Sequence, residues 1–245
     1  MRLLMINPNM TEAMTRPMAR VAQGIAGDTA EIIALTAAQG FPYISSRAEA
    51  QIAGAHVLDV IAHHHDSVDA VIIAAFGDPG LVAARELFDL PVVGMAEAAI
   101  LTAAMLGDRF SIVTFSPHMA RWYGDCVRQT GLEARFTGVR CPKTAPVSVD
   151  TVATDLRADL IGLVEEATTR DGADVVILGG APLTGVASDI ASEVQGLLVD
   201  PIAAATAQAM GLVRLAPTYG RRVARPVAKP STGLSPALAR VIAGG

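Results

Sequence analysis

The sequence predicts an α/β protein of two pseudo-symmetric lobes, each a mostly parallel sheet flanked by helices. Three observations lead there. Short apolar runs alternate with helical patterns along the whole chain, as in parallel strands joined by covering helices. Apolar residues make up 51% of the 245 residues but aromatic ones only 4%. Ala, Val, Ile and Leu must therefore fill the interior, which suits close helix-on-sheet packing. The third observation is an internal echo. Asn7 of MINPN and Thr114 of IVTFS stand 107 residues apart, Ala75 and Gly180 105 apart, and Gly94 of PVVG and Asp200 of LLVD 106 apart. Near-constant offsets at three strand ends indicate a duplicated unit.

The first series opens with the strand LLMIN and a helix over 11–25. AEIIAL, AVIIAAF and PVVGM supply further strands, with helices over 47–63 and 81–88 between them. The series restarts at FSIVTF (110–115) and continues through a helix over 120–131, a strand near 134–139 and a helix over 152–169. DVVILGG, a helix over 186–194, LLVD and a helix near 202–210 complete it. The first lobe is expected to comprise 1–100 with 205–245, and the second 101–204. Corresponding strands then point their C-terminal ends at one shared cleft, where open α/β sheets bind ligands. VIIAAFGDPGL (71–81) and VVILGGAPLTG (175–185) break into Gly, Pro and small residues. Buried strands end this way when their loops bring backbone close to a ligand. The Pro-rich stretch RPVAKPSTGLSP is expected to pack over its own lobe or over a partner subunit.

The bulk properties exclude several functions. A net charge of −5 argues against a nucleic-acid or anionic-membrane surface, which needs a basic patch. The one basic cluster, RRVAR at 221–225, reads as a solvated tail. Charges such as Asp78 and Glu86 interrupt every candidate membrane span, and MRLLMINPNM turns polar too early for a signal peptide. Cys126 falls in a helical segment and Cys141 opens the segment CPKTAPVSV. The pair forms no metal spacing and no disulfide framework, so no metal and a reducing cytoplasm are expected.

INPNMT, AAFGDPGLVAARE, PVVGMAEAA, RFSIVTFSP, VVILGGAPLTG and VDPIAAA resemble, in that order and over essentially the whole chain, the hydantoin racemase branch of the aspartate/glutamate racemase superfamily. The resemblance implies the two-lobed fold, a cofactor-independent enzyme, a small anionic or cyclic-amide ligand and a homo-oligomer. It also implies one cysteine per lobe, in patterns like ACFGDPG and LGCAGM. Inverting a carbon beside a carbonyl needs a base on one face and an acid on the other, and thiols titrate near neutrality. In this sequence the two positions align with Ala75 and Gly180. A methyl group and a hydrogen exchange no protons, so two-cysteine racemisation is excluded. An engineered Cys→Ala change would not account for Gly180 followed by Pro182, which points to a natural cysteine-less branch.

The remaining residues offer a second set of candidates. Asn7 matches the family position that orients a substrate carboxylate or amide, or else it closes an Asx-turn, with Asn9 as the cap. The backbone of Phe76, Gly77 and Asp78, and of Ala181 to Thr184, is expected at helix N-termini, where N–H groups bind carboxylates or stabilise an enolate. Thr114, Ser116 and Thr184 bring hydroxyls to the same cleft. Asp78 and Glu97 are the acidic candidates, although their motifs carry them in the two-cysteine enzymes too, which favours structural roles. The tandem His63, His64 and His65 read as a solvated helix end. His118 is the one histidine near a strand end and a candidate general base. Tyr43 and Arg47 lie in FPYISSRAEA, a loop placed to close over the cleft. The leading expectation is hydrolysis or lyase chemistry on a small carboxylate, ureido acid or cyclic amide, with Asp78, Glu97 or His118 handling protons. An isomerase with another acid/base pair and a non-catalytic binding protein are the alternatives.

Overall fold

The computed structural model describes residues 1–146, 148, 151–215 and 225–244. Two four-stranded parallel sheets form. In the first, β1 (Arg2–Asn7), β2 (Glu31–Thr36), β3 (Ala70–Ile73) and β4 (Val92–Gly94) run in the order β2-β1-β3-β4. In the second, β5 (Phe110–Val113), β6 (Phe136–Arg140), β7 (Val175–Leu178) and β8 (Leu197–Val199) run in the order β6-β5-β7-β8. The two orders are one order repeated, as the sequence offsets require. The central strands β3, β5 and β7 are buried at every residue, whereas the edge strands β2 and β6 are half exposed along their length.

Alternation along the strands divides the interior. Leu3 and Met5 of β1 join Ile112 of β5 and Ile177 of β7 in one apolar cluster that runs through both lobes. Leu4 and Ile6 face the opposite way, into a cluster confined to the first lobe. Val113, Val176 and Leu178 enter a third cluster, confined to the second. The helices α1 (Glu12–Ala26), α4 (Met95–Leu106), α5 (Ala120–Thr130) and α9 (Pro201–Arg214) enclose the shared core, with α9 packed on α1 and α4. On the outer face of the first sheet lie α2 (Arg47–His64) and α3 (Leu81–Leu87), and on the second α7 (Arg157–Thr169) and the short α8 (Val186–Ile190).

Four elements differ from the sequence expectation. MAEAAILTAAML forms the whole of α4, which the apolar pattern does not announce. Six of its twelve residues are buried and it carries little amphipathic bias, as a helix lodged between neighbours does. The helix over 152–169 is two, α6 (Val152–Asp155) and α7, broken at Leu156, and α8 ends at Ile190 rather than Val194. The Pro-rich tail leads into α10 (Pro236–Ile242), which places Leu238 and Val241 against the outer core beside α2. The helix that follows the stretch therefore covers the first lobe, while the stretch itself is largely exposed. Residues 221–224 of the basic cluster lie outside the described residues, and Arg225 pairs with Asp89.

Two carboxylates fasten the strand-end loops to the helices beside them. Asp78, the one described non-glycine residue with positive φ (48°), accepts hydrogen bonds from the Ala96 and Glu97 N–H groups, each 2.8 Å. It thereby satisfies orphan donors in the first turn of α4. Burial pushes its pKa up to about 7, against the pull of those two N–H groups. Asp200 does the reciprocal work in the second lobe. Its Oδ1 accepts from Ile202 and Ala203 N–H at the start of α9, and its Oδ2 from Gly185 N–H at 2.7 Å. Gly94 is glycine for the sake of Asp78. A Cβ there would lie 2.4 Å from the Asp78 carboxylate carbon.

Asp78→Ala is expected to cost about 1–3 kcal/mol by leaving buried helix donors unpaired, seen as a lower urea midpoint at unchanged slope. Gly94→Ala should cost a similar amount in the wild type and less in the Asp78→Ala background, where only the Leu81 methyl, 2.7 Å from the new Cβ, still has to give way. Strict additivity in that double-mutant cycle would disprove the close contact.

Candidate active site

Where the two sets of strand ends meet, a small cavity of about 20 Å³ lies between the loop after β3 and the loop after β7. That is room for roughly one water. Ala75 and Phe76 form its wall from the first lobe, Gly180 and Ala181 its wall from the second. Gly180 has φ +126°, a backbone that L side chains rarely adopt. A Cβ there would sit 2.6 Å from Cε1 of Phe115 and 3.4 Å from the hydroxyl of Tyr123. The second wall is therefore bare backbone with a phenol held against it. No thiol, imidazole or carboxylate occurs among the described residues lining the cavity.

Hydroxyls are what the cavity does hold. Tyr123, on α5, is buried and stacks its ring on Phe76 with centroids 4.5 Å apart. Tyr43 comes from the loop between β2 and α2, its ring 6.0 Å from that of Phe115. Its hydroxyl is buried without a hydrogen-bond partner. Thr114, at the end of β5, lies beside the Tyr123 hydroxyl without completing a hydrogen bond, so its Oγ1 is likewise buried and unpartnered. Such groups carry the desolvation cost of a missing partner. Burial, reinforced by the Glu49 charge, raises the Tyr43 pKa. Burial and the nearby Tyr43 raise that of Tyr123 well above the usual phenol range. Both phenols stay protonated at neutral pH and act as donors rather than bases.

The other sequence candidates are placed elsewhere or are already engaged. Asn7 is fully buried, and its Nδ2 donates to Asn9 Oδ1, Thr11 O and Thr15 Oγ1 while its Oδ1 accepts from Asn9 N–H. It holds the first loop together, and Asn9 is the asparagine that lines the cavity. Asp78 is spent on α4. Glu97 receives a two-pronged ion pair from Arg85, whose Nε donates to Val92 O. His118 is exposed in the turn after β5, its N–H donating to Ser116 Oγ at 3.4 Å. Neither Glu97, His118 nor Ser116 lines the cavity. Thr184 donates its hydroxyl to Ala181 O. Arg47 pairs with Asp125 of α5, bridging the two lobes outside the cavity.

The expected backbone donors are partly consumed as well. Asp78 N–H donates to Ala75 O, Leu183 N–H to Gly180 O and Thr184 N–H to Ala181 O, closing each loop on itself. Tyr123, Trp122 and Phe115, all on the cavity wall, have no place among the sequence candidates, and Asn9, read there as a cap, lines the cavity with them. One signal was available: in a chain with one Trp and three Tyr, the adjacent pair Trp122-Tyr123 is a concentration of aromatic surface.

The family model for Asp/Glu/hydantoin racemases matches residues 3–209. The chain belongs to the Asp/Glu/hydantoin racemase family. A hydantoin racemase of Paenarthrobacter aurescens is 34% identical over 217 residues, covering 88% of this chain and 92% of that protein. Among solved structures, allantoin racemase from Klebsiella pneumoniae superposes with TM-score 0.87 at 31% identity, covering 95% of this chain and 96% of that one. Allantoin racemase from Pseudomonas fluorescens gives TM-score 0.88 at 30% identity, over 95% and 100% of the two chains. Among the described residues no helix is long and apolar enough to cross a membrane, and no cluster of His, Cys, Asp and Glu is arranged to hold a metal ion. Cys126 is buried, its Sγ donating to Trp122 O, and burial raises its pKa. Cys141 follows the edge strand β6, and burial raises its thiol pKa too.

Gly180→Ala is expected to destabilise the protein by about 2 kcal/mol, from backbone strain at positive φ and contact with Phe115. For a chain of this size that lowers Tm by roughly 4–8 °C. Ala75→Ser, at a small site with ordinary backbone, should shift Tm far less. Equal melting of the two variants in a thermal scan would contradict the asymmetry of the walls.

Proposed function

We propose that the chain binds a small cyclic amide or carboxylate between the two loops and stabilises its enolate form with hydroxyl donors, without two-thiol stereoinversion. The observation that carries this is that the proton carriers at the cavity are hydroxyls, with no thiol, imidazole or carboxylate among the described residues lining it. Tyr43 from the first lobe and Tyr123 from the second line it, with Thr114 beside Tyr123, and two of these three hydroxyls are unpartnered, while the Ala75 position offers only a methyl group. Preorganised donors aimed at a developing oxyanion are an effective means of lowering a barrier in a dry site. They do nothing to remove a proton from carbon.

The chemistry that suits such a site starts an enolate by losing a leaving group rather than a proton. A carboxylate on the α-carbon departs as carbon dioxide, its bonding pair passes into the enolate held by the phenols, and one proton returns to carbon from water, either directly or through the Tyr123 hydroxyl, which regains a proton from water as it gives one up. This is a lyase step needing a single proton donor. Hydrolysis fits less well, because Asp78, Glu97 and His118 are not at the cavity and nothing lining it would activate water. Stereoinversion draws on the names of the 31–34% identical relatives. It requires a second proton carrier on the Ala75 face.

Incubation of hydantoin or allantoin with the purified chain in deuterated solvent should leave the α-hydrogen at its background exchange rate by NMR. Rapid exchange would favour the isomerase reading and refute this one. Tyr123→Phe is expected to weaken hydantoin binding up to about tenfold, the size of one neutral hydrogen bond, in isothermal titration. Unchanged affinity would remove Tyr123 from the ligand site.

A further inference from the structure

The inner cavity has room for roughly one water, so a five-membered cyclic amide does not fit beside the side chains that wall it. One of them must leave its place when such a ligand enters. Trp122, Tyr123 and Phe76 belong to the core shared by both lobes, and Phe115 to the core of the second. Tyr43 is the exception among the large side chains. It is half-buried and packs on the outside of both clusters.

Tyr43 is also set the wrong way round. A tyrosine near a surface ordinarily buries its ring and turns its hydroxyl to water. Here the hydroxyl is the buried end, without a hydrogen-bond partner, and exposure falls to the rest of the residue. The ring lies against that of Phe115, centroids 6.0 Å apart. The backbone on either side is pinned. Phe41 O accepts from Met10 N–H at 2.9 Å and Pro42 O from the Thr11 hydroxyl at 2.6 Å. Ser45 donates its N–H and hydroxyl to Glu49 Oε2, at 2.6 and 3.0 Å, and Ser46 caps α2 by accepting from Glu49 N–H. What can move is the side chain, by a change of rotamer.

We propose that the Tyr43 phenol stands in the place that the ligand's ring takes, and that it turns out toward solvent to admit that ring and then covers it. The proposal rests on the ligand class of the preceding section and adds where its ring lies and which side chain admits it. A five-membered cyclic amide is no larger than the phenol it displaces. Phe115 thus exchanges one flat neighbour for another, and Trp122 stays where it is. Turning out breaks no hydrogen bond of the Tyr43 hydroxyl, and covering the ligand gives that hydroxyl a carbonyl to donate to.

Two measurements test this. The first is iodoacetamide labelling of Ala75→Cys, a position 7% exposed on the cavity wall. Peptide mass reads that thiol separately from Cys126 and Cys141. Labelling of a buried thiol proceeds through local opening, so adding Tyr43→Ala is expected to speed it about tenfold or more. Tyr43→Phe keeps the ring and should not speed it. If Tyr43→Ala leaves the rate unchanged, Tyr43 is not the barrier and the proposal fails whatever the ligand. The second measurement needs no altered cavity wall. In protein carrying 3-fluorotyrosine at its three tyrosines, the Tyr43 fluorine resonance is assigned by its loss in Tyr43→Phe. Saturating hydantoin is expected to increase its broadening by a soluble nitroxide severalfold and to leave that of Tyr123 unchanged. If hydantoin binds by calorimetry while Tyr43 stays as shielded as before, the ring lies elsewhere and the proposal fails, but the ligand class stands. If hydantoin does not bind at all, the ligand class and the proposal that rests on it are both overturned.

Discussion

Each sheet ends in a loop that must stay in place although it is made of Gly, Pro and small residues, and in both lobes a carboxylate holds it. Asp78 reaches from the loop after β3 to the first amides of α4. Asp200 sits at the start of α9 and reaches back to Gly185 in the loop after β7. The joint is the same, but the acid is supplied from opposite sides of it. Where the second lobe has Asp200 the first has Gly94, and that glycine leaves the room that the Asp78 carboxylate fills. The duplication has thus kept the geometry of the joint while exchanging the residues that make it. Charge-assisted bonds to N–H groups at a helix N-terminus are among the stronger ones available, and they fix the backbone of both cavity walls.

This arrangement also limits what the backbone can do for a ligand. Helix N-termini at strand ends are natural anion sites, yet here those of α4 and α9 already bind the protein's own carboxylates. Three further N–H groups close turns within the loops themselves. Recognition is left largely to side chains, and the polar side chains that reach the cavity are two phenols, an indole and an asparagine. In a dry site a phenol whose ionised form is disfavoured is a dependable donor. Protein-internal capping at the walls and hydroxyl donors in the middle are two parts of one solution.

Much of this architecture is legible in the residues. The alternation of LLMIN, AEIIAL, AVIIAAF and their counterparts locates all eight strands, and the 105- to 107-residue offsets anticipate the repeated sheet order. The helix α4 is not legible, because MAEAAILTAAML is apolar on most sides and so has no periodic face to detect. The site was harder still. Asn7 and Asn9 are two residues apart, and only their hydrogen bonds show that the first is committed to the loop and the second lines the cavity. Tyr123 stands 57 residues before Gly180 and meets it only because α5 folds back over the strand ends. A sequence motif records the strand and its loop, and does not record which helix leans over them.

The closed state of the cleft follows from how the lobes are joined. The ion pair between Arg47 and Asp125 crosses from one lobe to the other, but Arg47 is well exposed, and exposed pairs of this kind contribute on the order of 0–1 kcal/mol. It does not hold the lobes together. The shared core does: Leu3, Met5, Ile112, Ile177 and their neighbours on α1, α4, α5 and α9 form one buried cluster, and parting the lobes would expose apolar surface at about 25 cal/mol per Å². Hinge opening is consequently the costly route into the cavity. Trp122 belongs to that same core, so the half-buried Tyr43, whose hydroxyl has no hydrogen bond to break, is the cheaper part to move. A weak clasp over a strong core confines motion to the side chains around the site, and the two lobes behave as one body with an adjustable seam.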